Sequence, residues 1–485
     1  MLGKQNRSQE HLFVACSLRD LVPAEHVLKR VNAVLDLSWL RAEVRELYCN
    51  TNGRPGIDPE AAVRLMLAGY FQGIVHDRKL MREAQVNLAI RWFAGYQLHE
   101  KLPDHSSLTR IRQRWGAERF KRIFQKTVEA CVEAKLVNGE TVHVDATLIR
   151  ADVSWESLTE RHMDEVLAAN ATDEPDPDGG GKVPPRRGRP RKHRRQPKKY
   201  SPTDPDATMA TSCRQYHLEP SYKQHTAVDD QAGVIVDVEA TTGEASEGAQ
   251  LPEQIERVET NTGTTPATVT ADGGYADSAN YAHCEERNVE AVVPPQREHR
   301  RPKRIPARRF KYDARHNCVR CPAGRTLTRS SRAGNGWTYR AKTTDCRSCP
   351  LRERCVFPAA SSRTILIVDG YEALLRARRR WPQRDAATRR LYSRHRWRVE
   401  GVHGEAKTQH GLRRAVRRGL WNVAIQVYLT AAVMNLKRLA VLLWALQRTL
   451  WTRSVRQNML CQPIQPIRFG QGTFGVRSGI KQRAA

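Results

Sequence analysis

Acidic residues are scarce in this chain: 52 aspartates and glutamates face 81 lysines and arginines, a formal charge of +29. An excess of that size points to a polyanionic partner, nucleic acid before an anionic membrane surface. Unbroken apolar runs are missing too. The opening MLGKQNRSQEHLFVACSLRD has no apolar core after its basic residues, so no signal peptide is expected. The most apolar stretch, Trp421 to Leu446, is interrupted by Asn435, Lys437 and Arg438, and reads as a buried amphipathic helix rather than a membrane span. A cytoplasmic location without membrane partners follows. From about Glu160 to Ser212 aliphatic residues nearly vanish, while prolines, glycines and a dense positive run take their place. Such a segment cannot build a core and is expected to be a disordered basic linker. The full 485 residues exceed one ordinary core, so two to four domains are expected.

Residues 10 to about 135 carry helical periodicity. Asp58-Pro59-Glu60 is a helix start, with a cap, a first-turn proline and an acid, followed by the apolar face of Ala61, Ala62, Leu65 and Met66. Asp104 is placed to cap the next helix, which has Leu108, Ile111 and Trp115 at helical spacing and Arg110, Arg112 and Arg114 on its other face. Short helices with a basic face suit a helix-turn-helix reader of DNA; a plain bundle with solvated arginines is the alternative. TVHVDATLI, Thr141 to Ile149, then alternates as a strand does and sets Asp145 in mid-strand, an unfavourable place for aspartate without a role. YKQHTAVD and GVIVDVEATT form a hairpin about Asp230 to Gly233, and a helix is expected from Glu247 to Glu259. The strand Ala267 to Ala271 ends in Asp272-Gly273-Gly274. A carboxylate at a strand's C-terminal end is where α/β sites gather, although Asp-Gly is also a common turn. A helix from Tyr275 to Glu286 and a short strand in VEAVVPP follow.

The chain has 11 cysteines, and five of them crowd between Cys318 and Cys355 as Cys318-x2-Cys321, Cys346-x2-Cys349 and Cys355. Without a secretion signal such spacing indicates a four-cysteine structural zinc site, with Cys318 or Cys355 left over. Around them lie ARRFK, RARRRW and RHRWR with Trp337, Trp381 and Trp397 interleaved, as in nucleic-acid-binding grooves. In the linker, Arg187-Gly188-Arg189-Pro190 resembles the core of an AT-hook, whose arginines seek the narrow minor groove; the alternative is a nonspecific basic tether. Tyr392 to Lys407 reads as a helix on which Arg396, Glu400 and Lys407 fall within about 40° of one another, with His403 near that stripe and Glu405 pointing away. A carboxylate between two cations can hold a metal and DNA phosphates, or form only a salt-bridged face.

These blocks together resemble the DDE transposases of bacterial insertion sequences, in particular the IS-five-like group. DHSSLTRIRQRW resembles the end of that group's N-terminal helical domain. VDATLIRADVSW resembles its first-aspartate segment, and YKQHTAVD and TADGGY its second and third blocks. RWRVEGVHGEAKTQHGLRRAVRRGL resembles its glutamate block, and CPAGRTL with CRSCPLRERC its cysteine insertion. One departure stands out: Ser393 occupies the place of the family's tyrosine, with Tyr392 adjacent but out of register.

The resemblance implies an α/β fold, an RNase H-like mixed sheet with flanking helices, preceded by an all-α domain and interrupted by a cysteine-rich insertion. The implied domains are 10–135 (DNA-binding), 136–159 with 213–295 and 385–450 (catalytic), and 296–384 (zinc-binding insertion), with 160–212 as linker and 451–485 as a mobile tail. Asp145, Asp272 and Glu400 would hold two magnesium (or manganese) ions, and Arg396, Lys407, Arg187 and Arg189 would hold DNA. Cys321, Cys346, Cys349 and Cys355 would hold zinc, leaving Cys318 spare. The implied partners are the element's terminal inverted repeats and target DNA, engaged by a homodimer. An inactive, domesticated DNA-binding protein and a metal-dependent nuclease without strand transfer are the alternatives.

Overall fold

A computed structural model of the chain describes residues 17–49, 56–154, 159–161, 198–210, 218–296 and 304–460. Three short helices, Leu18–Leu21, Val27–Asn32 and Leu40–Val44, precede the first long one. That helix, α1, spans Pro59–Phe71, and Asp58 caps it by accepting from the amides of Glu60 and Ala61 at 2.8 and 3.1 Å. Helices α2 (Asp77–Val86) and α3 (Leu88–Ala94) follow, then α4 (His105–Glu133), capped by Asp104 through the Ser106 amide. α4 bends at Gly116, whose φ of 69° a side-chain-bearing residue rarely adopts. Before the bend, α4 is tied to α2: Arg112 forks onto the Asp77 carboxylate at 2.6 and 2.8 Å, and both groups are buried. After it, Lys121 reaches Glu239 at 2.8 Å in the sheet that follows.

The main sheet has six strands: β1 (Thr141–Arg150), β2 (Thr208–Ala210), β3 (Glu219–Asp229), β4 (Ile235–Thr242), β5 (Thr268–Ala271) and β6 (Glu290–Val292). β3 is antiparallel to β1, with Asp145 opposite Thr226, and takes β4 and β2 on its other edge. β5 is parallel to β1, with Val144 opposite Ala271, and β6 is parallel to β5. The fold is therefore mixed α/β, with the antiparallel hairpin on one side of β1 and parallel strands on the other. α5 (Leu251–Thr262) and α6 (Ser278–Glu286) connect the later strands.

A second sheet of five antiparallel strands runs from Lys311 to Val368 in simple chain order: β7 (Lys311–Asp313), β8 (Cys318–Arg320), β9 (Thr326–Ala333), β10 (Gly336–Ala341) and β11 (Thr364–Val368). Its buried face is a separate small core containing Val319, Leu327, Tyr339, Ile365 and Ile367, with Cys346 and Cys355 packed among them. α7 (Tyr371–Gln383) then returns to α6, where Arg376 pairs with Glu285 at 2.9 Å. α8 (Ala386–Gln409) is capped by Asp385 and buries His395, Val399, Val402, His403 and Ala406 against the main sheet.

α9 (Leu420–Leu460) contains one stretch, Leu420 to Ala445, long and apolar enough to cross a membrane. From Val423 to Ala440, however, nearly every residue is buried in the protein. Asn435, which interrupts the apolar run, bonds the Ile235 backbone through both amide atoms at 2.9 and 2.8 Å. The helical backbone continues to Leu460, past the end near Leu446 that hydropathy suggests.

The expected linker 160–212 is described only at residues 160–161 and 198–210, which are ordered despite their composition; 162–197 and 211–212 lie outside the described residues. Thr159–Arg161 pairs with Lys198–Tyr200, and residues 201–210 are folded. Asp204 accepts from the Gly419 amide at 3.1 Å and Asp206 from the Leu420 amide at 2.8 Å, so this segment supplies acceptors for the otherwise orphan N–H groups at the start of α9. Arg187 and Arg189 lie outside the described residues, as does 461–485.

Candidate active site

Residues two apart on a strand share a face. On β1, His143 and Asp145 face α8; on β5, Thr270 does, with Asp272 just past its end. The parallel register of Val144 with Ala271 carries the chain one residue further on each strand to Asp145 and Asp272, which therefore stand side by side. Each is fixed by a backbone amide: Asp145 accepts from its neighbour Ala146 at 2.8 Å, and Asp272 accepts from Gly274 at 2.7 Å in the tight turn Gly273–Tyr275. Glu400 comes from α8 and is held by Arg396 one turn earlier, at 3.0 Å.

Burial, opposed by the Ala146 amide and reinforced by the charges of Asp272, Glu247 and Glu400, pushes the Asp145 carboxyl up to about 7. Lys407 is also within reach of this charge: burial and Arg413 lower its ammonium, and Asp145 raises it. His403 places Nδ1 3.9 Å from Asp145 and bonds Thr226 through Nε2 at 3.1 Å. The structure thus brings Asp145, Asp272, Glu400 and Lys407 to one place, with Arg396 at its edge. Among the described residues no three His, Cys, Asp or Glu side chains stand close enough to hold an ion as they are placed. The donor set nonetheless suits magnesium, a hard cation that takes few carboxylates and keeps several waters.

A family model described as "Transposase domain (DUF772)" matches residues 16–114, and one described as "Transposase DDE domain" matches residues 320–440. The chain therefore carries a transposase domain and a transposase DDE domain. The second match contains Glu400, Arg396, Lys407, Cys321, Cys346, Cys349 and Cys355; Asp145, Asp272 and Cys318 lie before it. Among solved structures, the transposase resembles a piggyBac transposase synaptic complex with hairpin DNA at 10% identity and a TM-score of 0.29, covering 91% of this chain and 82% of that one. It resembles a Mos1 transposase paired-end complex with the left transposon end at 11% identity and a TM-score of 0.16, covering 52% and 65%. No curated protein matches the chain.

Sequence reasoning missed two neighbours of the acids in this transposase. Glu247 lies in the turn before α5 and pairs with Lys223 at 3.1 Å. A β-carbon added to Gly274 would meet Asp272 Oδ1 at 2.9 Å and Glu247 Oε2 at 3.4 Å, so the two carboxylates flank that glycine. Tyr275 is buried beside Asp145, Glu247 and Asp272, and its hydroxyl has no hydrogen-bond partner. Glu247 reads from sequence only as the start of a helix, and Tyr275, though it closes the TADGGY block, is assigned no role by it. Tyr392, out of register in sequence, stacks on His395 with ring centroids 5.8 Å apart, and the charges of Asp272 and Asp145 add to the burial that raises its phenol.

Glu405 is turned away, as its helical phase predicts. Lys437 holds it at 2.5 Å, with His410 and Arg438 each at 3.5 Å. Burial alone would raise this carboxyl, but these partners pull it down to about 2. The expected basic face of α4 is partly structural: Arg112 is buried against Asp77, and Arg114 lies over the Tyr48 ring at 4.6 Å.

In the second sheet Cys321, Cys346, Cys349 and Cys355 line one small cleft, while Cys318 pairs along the strands with Asp313 and Thr328 and is not part of its wall. The Cys355 thiol is raised by burial, lowered by Arg363, and raised again by Cys346, Cys321 and Cys349. Thiols are soft donors of the kind zinc takes, although as placed no three of these stand close enough to hold an ion.

Proposed function

We propose that Asp145, Asp272 and Glu400 are the catalytic carboxylates with which this transposase cuts the ends of its insertion sequence and joins them to target DNA. The observation that carries the reading is the convergence of these acids, from two adjacent parallel strands and one covering helix, on a single charge-coupled site. The strand order, with an antiparallel hairpin on one side of β1 and parallel strands on the other, supports an RNase H-like catalytic domain formed by 136–159, 213–295 and 385–450.

Two divalent cations held by these carboxylates, magnesium or manganese, supply electrostatic stabilisation of the attacking and leaving oxygens in an in-line displacement at phosphorus. The chain's own part is to hold the acids and the DNA. The Ala146 and Gly274 amides orient the two aspartates, and Arg396 orients Glu400. Lys407 and Arg396, on the same stripe of α8, neutralise phosphates beside the glutamate. Residues 10–135 and the basic linker, with Arg187 and Arg189, bind the terminal inverted repeats. The insertion 296–384 is stabilised by zinc on Cys321, Cys346, Cys349 and Cys355. Two ends must be cut together, so a homodimer on DNA is part of this reading, as is a cytoplasmic location.

The test uses the DNA that flanks the gene. Incubated with magnesium and a duplex ending in the matched inverted repeat, the protein should cut at the repeat and join the freed 3′ end to a second duplex. Asp145→Ala and Asp272→Ala should bind the duplex and do neither, because positive residues supply the affinity. Cutting without joined product would identify a nuclease instead.

A further inference from the structure

Behind the acids lies a ring of polar contacts that the proposed chemistry does not use. Asp230, in the turn between β3 and β4, accepts from His143 Nε2 on β1 at 3.0 Å. His143 Nδ1 meets the Thr270 hydroxyl on β5 at 2.7 Å, and the same hydroxyl meets His395 Nδ1 on α8 at 2.8 Å. The ring closes through α8, because Arg394 reaches Asp230 at 2.7 Å and Arg398 lies 3.7 Å from it. His143 and Thr270 are completely buried, and His395 nearly so. An ionised aspartate only accepts, which puts the proton of neutral His143 on Nε2. Its Nδ1 then accepts from the Thr270 hydroxyl, and the Thr270 oxygen accepts from His395 Nδ1–H. Every member has one assigned direction, and a group removed from this string leaves a buried neighbour without a partner.

The ring touches each element that carries an acid. His143 stands two residues before Asp145 on the same strand face. Thr270 stands two before Asp272. His395, Arg394 and Arg398 share α8 with Glu400. We propose that it is a positioning device: it sets the depth and rotation of α8 against β1 and β5, and so the spacing of the three carboxylates. This rests on the carboxylate reading above. The consequence is cation selectivity. Magnesium demands near-ideal octahedral geometry, whereas calcium accepts six to eight oxygens in flexible arrangements. Loosening the ring should therefore weaken magnesium binding and spare calcium.

Thr270→Val keeps the side-chain shape and its strand preference but removes the hydroxyl; Thr270→Ser keeps the hydroxyl. The measurement is the thermal midpoint of the full-length protein against magnesium and, separately, calcium concentration. Thr270→Val should bind magnesium about 10-fold more weakly, the lower end of the cost of losing a group bonded directly to a ligand, with calcium affinity unchanged. Thr270→Ser should behave as wild type. Unchanged magnesium affinity in Thr270→Val, or equal damage in Thr270→Ser, would overturn the proposal. Should Thr270→Val not fold, Asp230→Ala opens the ring at its more accessible corner and should show the same selective loss; wild-type magnesium affinity there would also overturn it. Asp145→Asn is the control for the underlying reading. If that variant binds magnesium as wild type does, the carboxylate assignment fails, and the ring proposal with it.

Discussion

Asp145 is the residue on which the electrostatics of the site turn. Its folded carboxyl titrates at about 7, against an ordinary 3.8, first because it is buried and then because other carboxylates face it. The folded state therefore favours the protonated form. This penalty is absent below the ordinary value, grows as pH rises, and is complete above about 7. Without divalent metal, Asp145→Asn should melt above wild type at pH 8, and the gap should close towards pH 4. Thermal melts in chelator at both pH values check this; a gap independent of pH would contradict it. Residues of this kind were only partly legible in the sequence. Asp145 and Asp272 stand out because aspartate is unusual in mid-strand and pointed at a strand end, and Glu400 because a helical stripe frames it. Glu247 and Tyr275 do not stand out, because only the turn between β4 and α5 and the tight turn after β5 bring them to the acids.

At the level of elements, capping residues and apolar period locate most helices and strands to within a few residues, as with Asp58, Asp104 and the strand from Thr141. What pattern could not reveal is polar order. Residues 201–210 have few apolar groups, and their fold depends on Asp204 and Asp206 bonding the start of α9, about two hundred residues away. Arg112 misled for the same reason: it reads as one of three exposed arginines, yet it is buried against Asp77, which Arg417 also reaches at 2.6 Å. Burial raises the Asp77 carboxyl, but the two guanidiniums outweigh it and lower it overall. Removing that shared acid leaves two cations facing each other in a largely buried place. Asp77→Ala should cost about 3–5 kcal/mol in a denaturant titration, as for other broken buried pairs. Arg110→Ala, at an exposed position of the same helix, should change stability by no more than about 0.5 kcal/mol.

Across the whole molecule, composition sets two expectations, a polyanionic partner from the charge and a zinc ion from the spacing of the cysteines. The cleft walls separate Cys318 from the other four thiols without reference to any resemblance. Purified protein should carry about one tightly held zinc, as a closed structural site requires. Cys349→Ser should lose it while Cys318→Ser keeps it; the reverse would mean that Cys318 is a ligand. The most direct test of the central claim separates binding from cutting in one reaction. Wild type and Glu400→Gln are each mixed with magnesium and a duplex carrying the inverted repeat that flanks the gene, and bound and cleaved DNA are scored together. The expected result is equal binding by both proteins and cleavage by wild type alone. Cleavage by Glu400→Gln at the wild-type rate would contradict the assignment of this carboxylate and of the site built around it.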